Sequence, residues 1–468
     1  MMEDESGAKD RARIARRAFL GGALTLGTFA ATPHANLLAA AGGTAAMRGN
    51  WSSGYGLLRS ARDANTGMHL LALPDGFTYR TFGWAGEAMT DGTPTPGRHD
   101  GMGVVRRRGN EILLVRNHEQ TGDTGAFGPA EIQYDRVATG GTSTITFDLK
   151  SGLAGSASPS LAGTMQNCAG GVTPWGTWLS CEEWASNVGD TSEPLTQPHG
   201  FVFEVDPAGG PPRRLDDCGQ FEHEAAAIDV ATGDVYLTED AEPRAGFYRM
   251  RPRAPGDLAQ GGQLQMLGVV GRTDLRRGVP HGAKFKTRWL DIAEPTRVHT
   301  PGMVDARGVL GQGLDSGGAA FTRLEGCFAT NRAVYFTSTD GGDAASGQVW
   351  MYVPRDEELH LVFESRSREQ LNYPDNLCFS PRGSLVLCED GNRAGGQYLF
   401  GLGKDNGLFA FARNQVVLDR PVLGHSGDFR RSEWTGTCFS PDGRWLFANV
   451  QAPGFSVAIT GPWRRGLI

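Results

Sequence analysis

The residues of this 468-residue chain that could do chemistry are acidic side chains and one cysteine that recur beside short predicted strands. Cys168 opens the stretch NCAGGVTPWGTWLSCEEW, which carries a second cysteine, Cys181, and then Glu182 and Glu183. The spacing is not a zinc signature, because the chain contains neither CxxC nor HExxH. Cys168 could be half of a disulfide, a nucleophile or a metal ligand. Only the residues that the fold brings close to it can decide.

Six segments of the chain share one order: a strand, a tight turn, a second strand and a polar end. The two clearest are NLCFSPRGSLVLCEDGN (376–392) and GTCFSPDGRWLFANVQ (436–451). Weaker copies occupy 101–120, 170–184, 225–240 and 326–342. Most copies are 50–64 residues apart, which predicts an all-β, six-bladed β-propeller with four strands in each blade. A pair of packed β-sheets is the alternative architecture, but it would not explain the period.

The domain organisation follows from the same spacing. One step between copies is 100 residues long, and a segment at about 251–320, rich in Arg, Gly and Pro, accounts for the excess as an insertion. The 67 glycines and 25 prolines suit many turns between short strands. We therefore predict a single propeller domain over residues 50–468.

The polar residues at the start of the first strands predict a metal site in the central channel. Asn376 is predicted to be in register with Glu325 and Cys168, and three acidic residues fall within a few positions of that slot: Asp100, Glu224 and Glu433. The first strand of each blade lines the channel, so these side chains would converge. Converging carboxylates repel one another unless cations lie between them. The alternative for each residue alone is that it caps a turn.

The types of ligand indicate which ions and which substrate such a site suits. Carboxylate and amide oxygens favour hard ions such as Ca²⁺, whereas a thiolate favours a transition metal. A group of cations suits a substrate with concentrated negative charge, above all a phosphate, because metals polarise the phosphoryl group. Arg323, two residues before Glu325, is placed to hold a phosphate as a bidentate clamp.

Six stretches of the chain resemble the PhoX-type alkaline phosphatases and their smaller relatives: RNHE (116–119), NCAGGVTPWGTWLSCEE (167–183), FEHEAAAIDVATGDVYLTED (221–240), RLEG (323–326), PDNLCFSPRG (374–383) and EWTGTCFSPDG (433–443). The resemblance covers nearly the whole chain after its first 50 residues. It implies a six-bladed propeller with an iron–calcium cluster in its channel. It also implies that the substrates are small-molecule phosphomonoesters, which the protein would hydrolyse at alkaline pH.

The resemblance also implies roles for individual residues. Cys168 would bind iron with Glu119 and Glu224, and Arg323 would hold the phosphate. The calcium ligands would be Glu325, Glu389 and Glu433, with Asn117 and Asp375 as neighbours. Two positions depart from the family pattern: Trp184 stands where an asparagine is expected, and 155–167 lacks the expected lysine.

The N-terminus predicts export. Residues 1–41 contain paired Arg16–Arg17, a moderately apolar run and small residues near 39–41, which is typical of a twin-arginine signal and its cleavage site. The twin-arginine export machinery would then be a partner, and the periplasm or the cell exterior the destination. Gly, Thr, Pro and His interrupt the apolar run, so no stable membrane anchor is expected. The net charge of −7 gives no reason to expect nucleic-acid binding, and we expect a monomer.

Two other functions suit a propeller of this kind. One is a calcium-dependent lactonase or another esterase, and the other is a non-catalytic exported propeller that binds a partner. Neither function needs a thiolate in the channel, so Cys168 favours the phosphatase. The other six cysteines are predicted to be structural, among them Cys218 in a loop. His118 and His223 are predicted to support ligands rather than to bind the metal.

Overall fold

The computed structural model describes residues 51–191, 193–300, 308–465 and 467–468, so the predicted export signal lies outside the described residues. Strands dominate this part of the chain, alongside one α-helix (Val309–Asp315) and three short 3₁₀ helices (Ala130–Ile132, Asp216–Cys218 and Leu258–Gln260). The strands are β1 (Leu58–Ala61), β2 (Leu71–Pro74), β3 (Thr78–Phe82), β4 (His99–Arg108), β5 (Glu111–His118), β6 (Gly140–Asp148), β7 (Leu153–Thr164), β8 (Asn167–Val172), β9 (Trp178–Glu182), β10 (Val202–Val205), β11 (Arg213–Leu215), β12 (His223–Ile228), β13 (Val235–Glu239), β14 (Phe247–Pro252), β15 (Gly262–Val269), β16 (Lys284–Asp291), β17 (Leu324–Ala329), β18 (Val334–Ser338), β19 (Gln348–Val353), β20 (Glu358–Glu364), β21 (Pro374–Phe379), β22 (Leu385–Glu389), β23 (Tyr398–Leu402), β24 (Leu408–Asn414), β25 (Val417–Val422), β26 (His425–Asp428), β27 (Trp434–Phe439), β28 (Leu446–Val450) and β29 (Phe455–Thr460).

The strands form six four-stranded antiparallel blades. Blades one to five are β4–β7, β8–β11, β12–β15, β17–β20 and β21–β24, and blade six is β27–β28–β29–β3. The innermost strand of each blade packs against that of the next, and β27 packs against β4, so the ring closes. The predicted six-bladed β-propeller is confirmed, and each predicted hairpin is the inner pair of strands of one blade.

Blade six combines strands from the N-terminal and C-terminal parts of the chain. Its outermost strand, β3, comes from the N-terminal side and pairs along its length with the C-terminal strand β29. Elsewhere, β1 and β2 extend the sheet of blade five, and β16 joins β15 to β20 so that blades three and four share one sheet. The end of β14 and the whole of β15 lie inside the predicted 251–320 insertion but belong to blade three. The extra segment therefore starts after Val269.

The second strand of a blade is buried on both faces, because neighbouring blades pack face to face. In β13, Val235 and Leu237 point into the apolar cluster shared with blade two. Tyr236 between them points into the cluster shared with blade four. Successive side chains of a strand point to opposite faces, so a strand between two interfaces must be apolar throughout. This explains the continuous apolar runs in the predicted second strands.

Every innermost strand carries a β-bulge at its start. In blade two, Asn167 pairs with Glu182 and Gly170 pairs with Ser180, so three steps on β8 oppose two steps on β9. The same three-to-two shift occurs in the other five blades. A bulge leaves a residue outside the ladder and redirects its side chain. The first bulge residues are Asp100, Cys168, Glu224, Glu325, Asp375 and Gly436.

Candidate metal centre in the channel

Two sets of blade-equivalent positions supply most of the candidate site, and Glu433, just before β27, adds to them. The first set is the row of bulge residues, which is acidic in four blades and a cysteine in one. The residue just before each bulge pairs with a residue at the end of the second strand, and the second set is the residue that follows this end. Its acidic members are Glu119, Glu183, Asp240 and Asp390. The predicted register of Asn376 was wrong by one residue: Asp375 is equivalent to Glu325 and Cys168. Cys327 is the first residue paired after its bulge whereas Cys378 is the second, and aligning the two hairpins on these cysteines hides the offset.

The bulges are held by the preceding blade. The carbonyl group of Cys168 accepts a hydrogen bond from Asn117 Nδ2 at 2.9 Å, and that of Glu325 accepts one from Thr238 Oγ1 at 2.6 Å. Thr337 Oγ1 donates in the same way to the carbonyl group of Asp375 at 2.7 Å. Backbone groups outside a ladder need such partners when they are buried. In these three cases one blade fixes the position of the next blade's acidic or thiol side chain.

Gly326 shows how closely the innermost strands approach. A Cβ atom at this position would lie 2.8 Å from the Cα atom of Asn376 in the next blade, too close for any side chain. Glycine follows Glu325 for this reason, and the neighbouring ligands can come within reach of a shared ion.

The first candidate group joins Cys168 to two glutamates. Suitable ligand atoms of Glu119, Cys168 and Glu183 all lie within 4.8 Å of one another. The thiol of Cys168 is buried and donates to Glu183 Oε2 at 2.7 Å. Burial, and then the charge of Glu183, raise the pKa of the thiol well above its ordinary value. A cation is therefore what would stabilise the thiolate here.

The other two channel groups share Asp375. One consists of Glu224, Glu325 and Asp375, and the other of Asp375, Asp390 and Glu433, again with ligand atoms within 4.8 Å. Burial first, and repulsion between the carboxylates second, raise the pKa values of Glu224, Glu325 and Glu433. Burial raises the pKa of Asp390 to about 7. So many buried acids without hydrogen-bond donors to match are costly unless cations neutralise them.

Two arginines accompany the acidic groups. Arg323 donates from Nε and Nη2 to the two carboxylate oxygens of Asp240, both at 3.0 Å, and from Nη2 to Glu325 at 2.9 Å. Arg98 occupies the equivalent position in blade one and donates to Glu119 at 2.8 Å. Both residues adopt positive φ angles, 40° and 47°. Blades one and four lie opposite each other in a ring of six, so the two guanidinium groups face the acidic cluster from opposite sides.

The structure places most of the predicted ligands together but separates one of them. Glu119, Cys168, Glu224, Glu325 and Glu433 all lie in the three channel groups. Glu389 belongs to none of them, because it accepts hydrogen bonds from Arg393 and from the backbone N–H groups of Asn372 and Tyr398. The next residue along the chain, Asp390, faces the channel instead.

The remaining predicted residues support the fold. His118 bonds to Ser143 Oγ at 2.9 Å and His223 to the carbonyl oxygen of Gly219 at 3.0 Å. All seven cysteines are free thiols, so Cys168 is not half of a disulfide. Trp184 is half-buried against a small apolar cluster, and its Nε1 has no partner among the described residues.

Sequence reasoning missed Arg98 and the part that Asp240 plays. A signal for Arg98 was present: RHDG (98–101) and RLEG (323–326) share an arginine, one intervening residue, an acid and a glycine. Comparing the two stretches would have predicted a second arginine at the channel.

The raised pKa values predict how the metal-free protein responds to pH. Because the folded-state pKa of Asp390 is about 7, above its ordinary 3.8, the folded state binds the proton more tightly than the unfolded state. The resulting stability is complete below about pH 4 and is lost as the pH rises through 7. We expect the chelated protein to unfold at lower urea concentration at pH 8 than at pH 5. Metal addition should remove the difference, and equal midpoints without metal would contradict the acidic cluster.

The comparisons with known proteins agree with this architecture. The model of the family described as alkaline phosphatase PhoX matches residues 53–154 and 147–454. The structure is similar to that of Pseudomonas fluorescens PhoX in complex with vanadate, a transition-state analogue, with 19% identity and a TM-score of 0.63 over 88% of this chain and 98% of that one. A gluconolactonase from Xanthomonas campestris matches at 13% identity and a TM-score of 0.37, over 82% and 99% of the two chains. Among curated proteins, none matches the sequence.

Proposed function

This chain belongs to the PhoX family of alkaline phosphatases, and from that premise we propose that it hydrolyses phosphate monoesters with metal ions held in its channel. The observation that carries the proposal is the convergence of Cys168 with buried carboxylates from several blades. A thiol among carboxylates fits a mixed set of ions, iron at the cysteine and calcium at the all-oxygen groups.

The side chains that line the channel suit the binding of these cations. The channel gathers many acidic side chains and only two arginines, and Asp100 Oδ1 is buried without a hydrogen-bond partner among the described residues. We propose that Glu119, Cys168 and Glu183 hold iron. For calcium we propose Glu224, Glu325, Asp375, Asp390 and Glu433. Such ions, when bound, supply Lewis acidity toward a phosphoryl oxygen and lower the pKa of a water molecule.

The chain's own residues bind and orient the substrate. Asp240 and Glu325 occupy the Nε and Nη2 donors of Arg323, which leaves Nη1 without a partner among the described residues. Arg98 is held similarly, with Nε donating to the backbone carbonyl group of Glu119 and Nη2 to its carboxylate. Each Nη1 group is thus available to a phosphoryl oxygen while the carboxylates fix the guanidinium plane. Arg98 supplies a cation that compensates for the lysine missing from 155–167.

We further propose that the protein acts outside the cytoplasm, after export through the twin-arginine pathway. The paired Arg16–Arg17 and the small residues near 39–41 support this proposal. In the described part of the chain, no helix has the length and apolar character needed to cross a bilayer.

An assay with three chromogenic substrates tests the proposed function. We expect the metal-loaded protein to hydrolyse a phosphomonoester, and we expect a chelator to abolish this activity and added iron and calcium to restore it. A phosphodiester and a lactone serve as comparison substrates. Hydrolysis of the lactone alone would favour the lactonase. Phosphomonoester turnover that survives complete metal removal would reject the metal-dependent phosphatase.

A further inference from the structure

A second cluster of metal-binding side chains lies beside the channel groups and shares no residue with them. It consists of Glu222, Glu239 and His299, all buried, with ligand atoms within 4.8 Å of one another. His299 Nε2 lies 3.0 Å from Glu239 Oε1 and 3.5 Å from Glu222 Oε2. Glu222 and Glu239 flank the start and end of the inner hairpin of blade three, and His299 comes from the extra segment that follows β16.

Blade two contains a matching arrangement in which the second acid has hydrogen-bond donors of its own. Glu182, which is equivalent to Glu239, contacts His199 Nδ1 at 2.6 Å and accepts hydrogen bonds from three backbone N–H groups. The residue equivalent to Glu222 in that blade is Gln166, whose charge is zero. His199 Nε2 also lies 3.5 Å from Asp135 Oδ2, but Asp135 accepts hydrogen bonds from the backbone N–H groups of Val137, Thr196 and Gln197. Both acids of this structural group are therefore satisfied without an ion.

Blade three differs, because its second carboxylate, Glu222, has no such donors in the described part of the chain. Glu239 Oε2 already accepts hydrogen bonds from the N–H group of Gly246 and from Tyr248 Oη. Glu222 is only 5% exposed, and neither of its oxygens accepts a hydrogen bond from any described residue. Buried acids without donors are rare in native structures and call for an ion or another ligand.

We propose that Glu222, Glu239 and His299 bind a divalent transition-metal ion, such as Zn²⁺ or Mn²⁺, at a site separate from the channel cluster. Two carboxylates balance the charge of the ion, and imidazole is a ligand that these metals accept and calcium does not favour. The ion ties the extra segment to blade three. It also lies behind Asp240, whose N–H group donates to the carbonyl group of Glu222 at 3.1 Å and whose side chain holds Arg323.

Metal counting on matched variants tests the proposal. The wild-type protein and the variants Glu222→Gln, His299→Gln and Glu204→Gln are purified from zinc- and manganese-supplemented medium and analysed for metal per chain. We expect Glu222→Gln and His299→Gln each to lose about one equivalent of transition metal, with iron and calcium unchanged. Glu204→Gln is the control, because Glu204 is equally buried but accepts hydrogen bonds from Trp175 and Thr177.

If the variants fold poorly, anomalous diffraction from wild-type crystals, recorded at the zinc and manganese edges, tests whether the three side chains bind a metal ion. A peak between the three side chains supports the site. No peak there, or wild-type metal content in a folded Glu222→Gln protein, would overturn it and leave Glu222 as a protonated acid. Because iron and calcium are counted separately, loss of this site is distinguishable from failure of the channel cluster.

Discussion

Replacing Cys168 by serine is expected to remove the colour of the purified protein and to lower phosphomonoester hydrolysis by at least about 100-fold. A factor of about 100 is the lower end of the loss in rate when one charge-stabilising group is removed from an active site. The proposed iron is bound by a thiolate, and thiolate-to-iron charge transfer would colour the protein. Serine has the same shape but is a poor ligand for iron at neutral pH, so iron content should fall with the colour. The measurement is the visible spectrum, the iron per chain and kcat/KM on one preparation.

The matched control is Cys218→Ser. Cys218 is as fully buried as Cys168, but it packs in the apolar cluster between blades two and three, with no candidate ligand group around it. We expect this variant to keep its colour and activity, although it should unfold at a lower temperature. If the two variants lost colour and activity equally, Cys168 would be a structural residue and the iron site would be wrong.

Replacing Arg323 by lysine is expected to lower kcat/KM for a phosphomonoester by about 100-fold, because lysine keeps the charge but cannot present the planar fork of an arginine. Asp240 and Glu325 fix the guanidinium plane of Arg323 and leave one nitrogen for the substrate. We expect KM to rise and kcat to fall together, since a phosphoryl clamp acts on both the bound substrate and the transition state.

Two further variants make this result interpretable. Arg249→Lys is the control, since Arg249 is a nearly buried arginine that pairs with Asp234 away from the channel. It should keep wild-type kinetics. Arg98→Lys should reduce kcat/KM by less, about 10-fold, because the Arg98 side chain is 51% exposed whereas that of Arg323 is 26% exposed. Wild-type kinetics in a folded Arg323→Lys protein would show that Arg323 is a structural ion-pair residue.

The hairpin repeat predicted the architecture, because strand periodicity and turn residues are local properties of the chain. The pairing of β3 with β29 was not predictable in this way. It joins Thr78–Phe82 to Phe455–Thr460, nearly four hundred residues away, and neither strand carries a signal for its partner. The position of His299 beside Glu222 and Glu239 depends likewise on the path of the extra segment, which has no repeat to follow.

The errors within the site were errors of one residue, and they have a physical cause. In a strand, neighbouring side chains point to opposite faces, so a shift of one position exchanges a channel ligand for a structural residue. Asp375 replaces Asn376 because Cys378 lies one position further past its bulge than Cys327 does, an offset that aligning the two cysteines hides. Asp390 lies in a channel group, whereas Glu389, carried over from the family pattern, turns toward Arg393.

The central claim is that a thiol and carboxylates from several blades hold iron and calcium for phosphate ester hydrolysis. Elemental analysis of the exported, untagged protein, with a phosphomonoesterase assay on the same sample, tests it most directly. We predict iron and calcium in fixed ratio to protein, a coloured solution and hydrolysis that falls in proportion to the metal removed. A colourless, iron-free protein with full phosphatase activity would contradict the account.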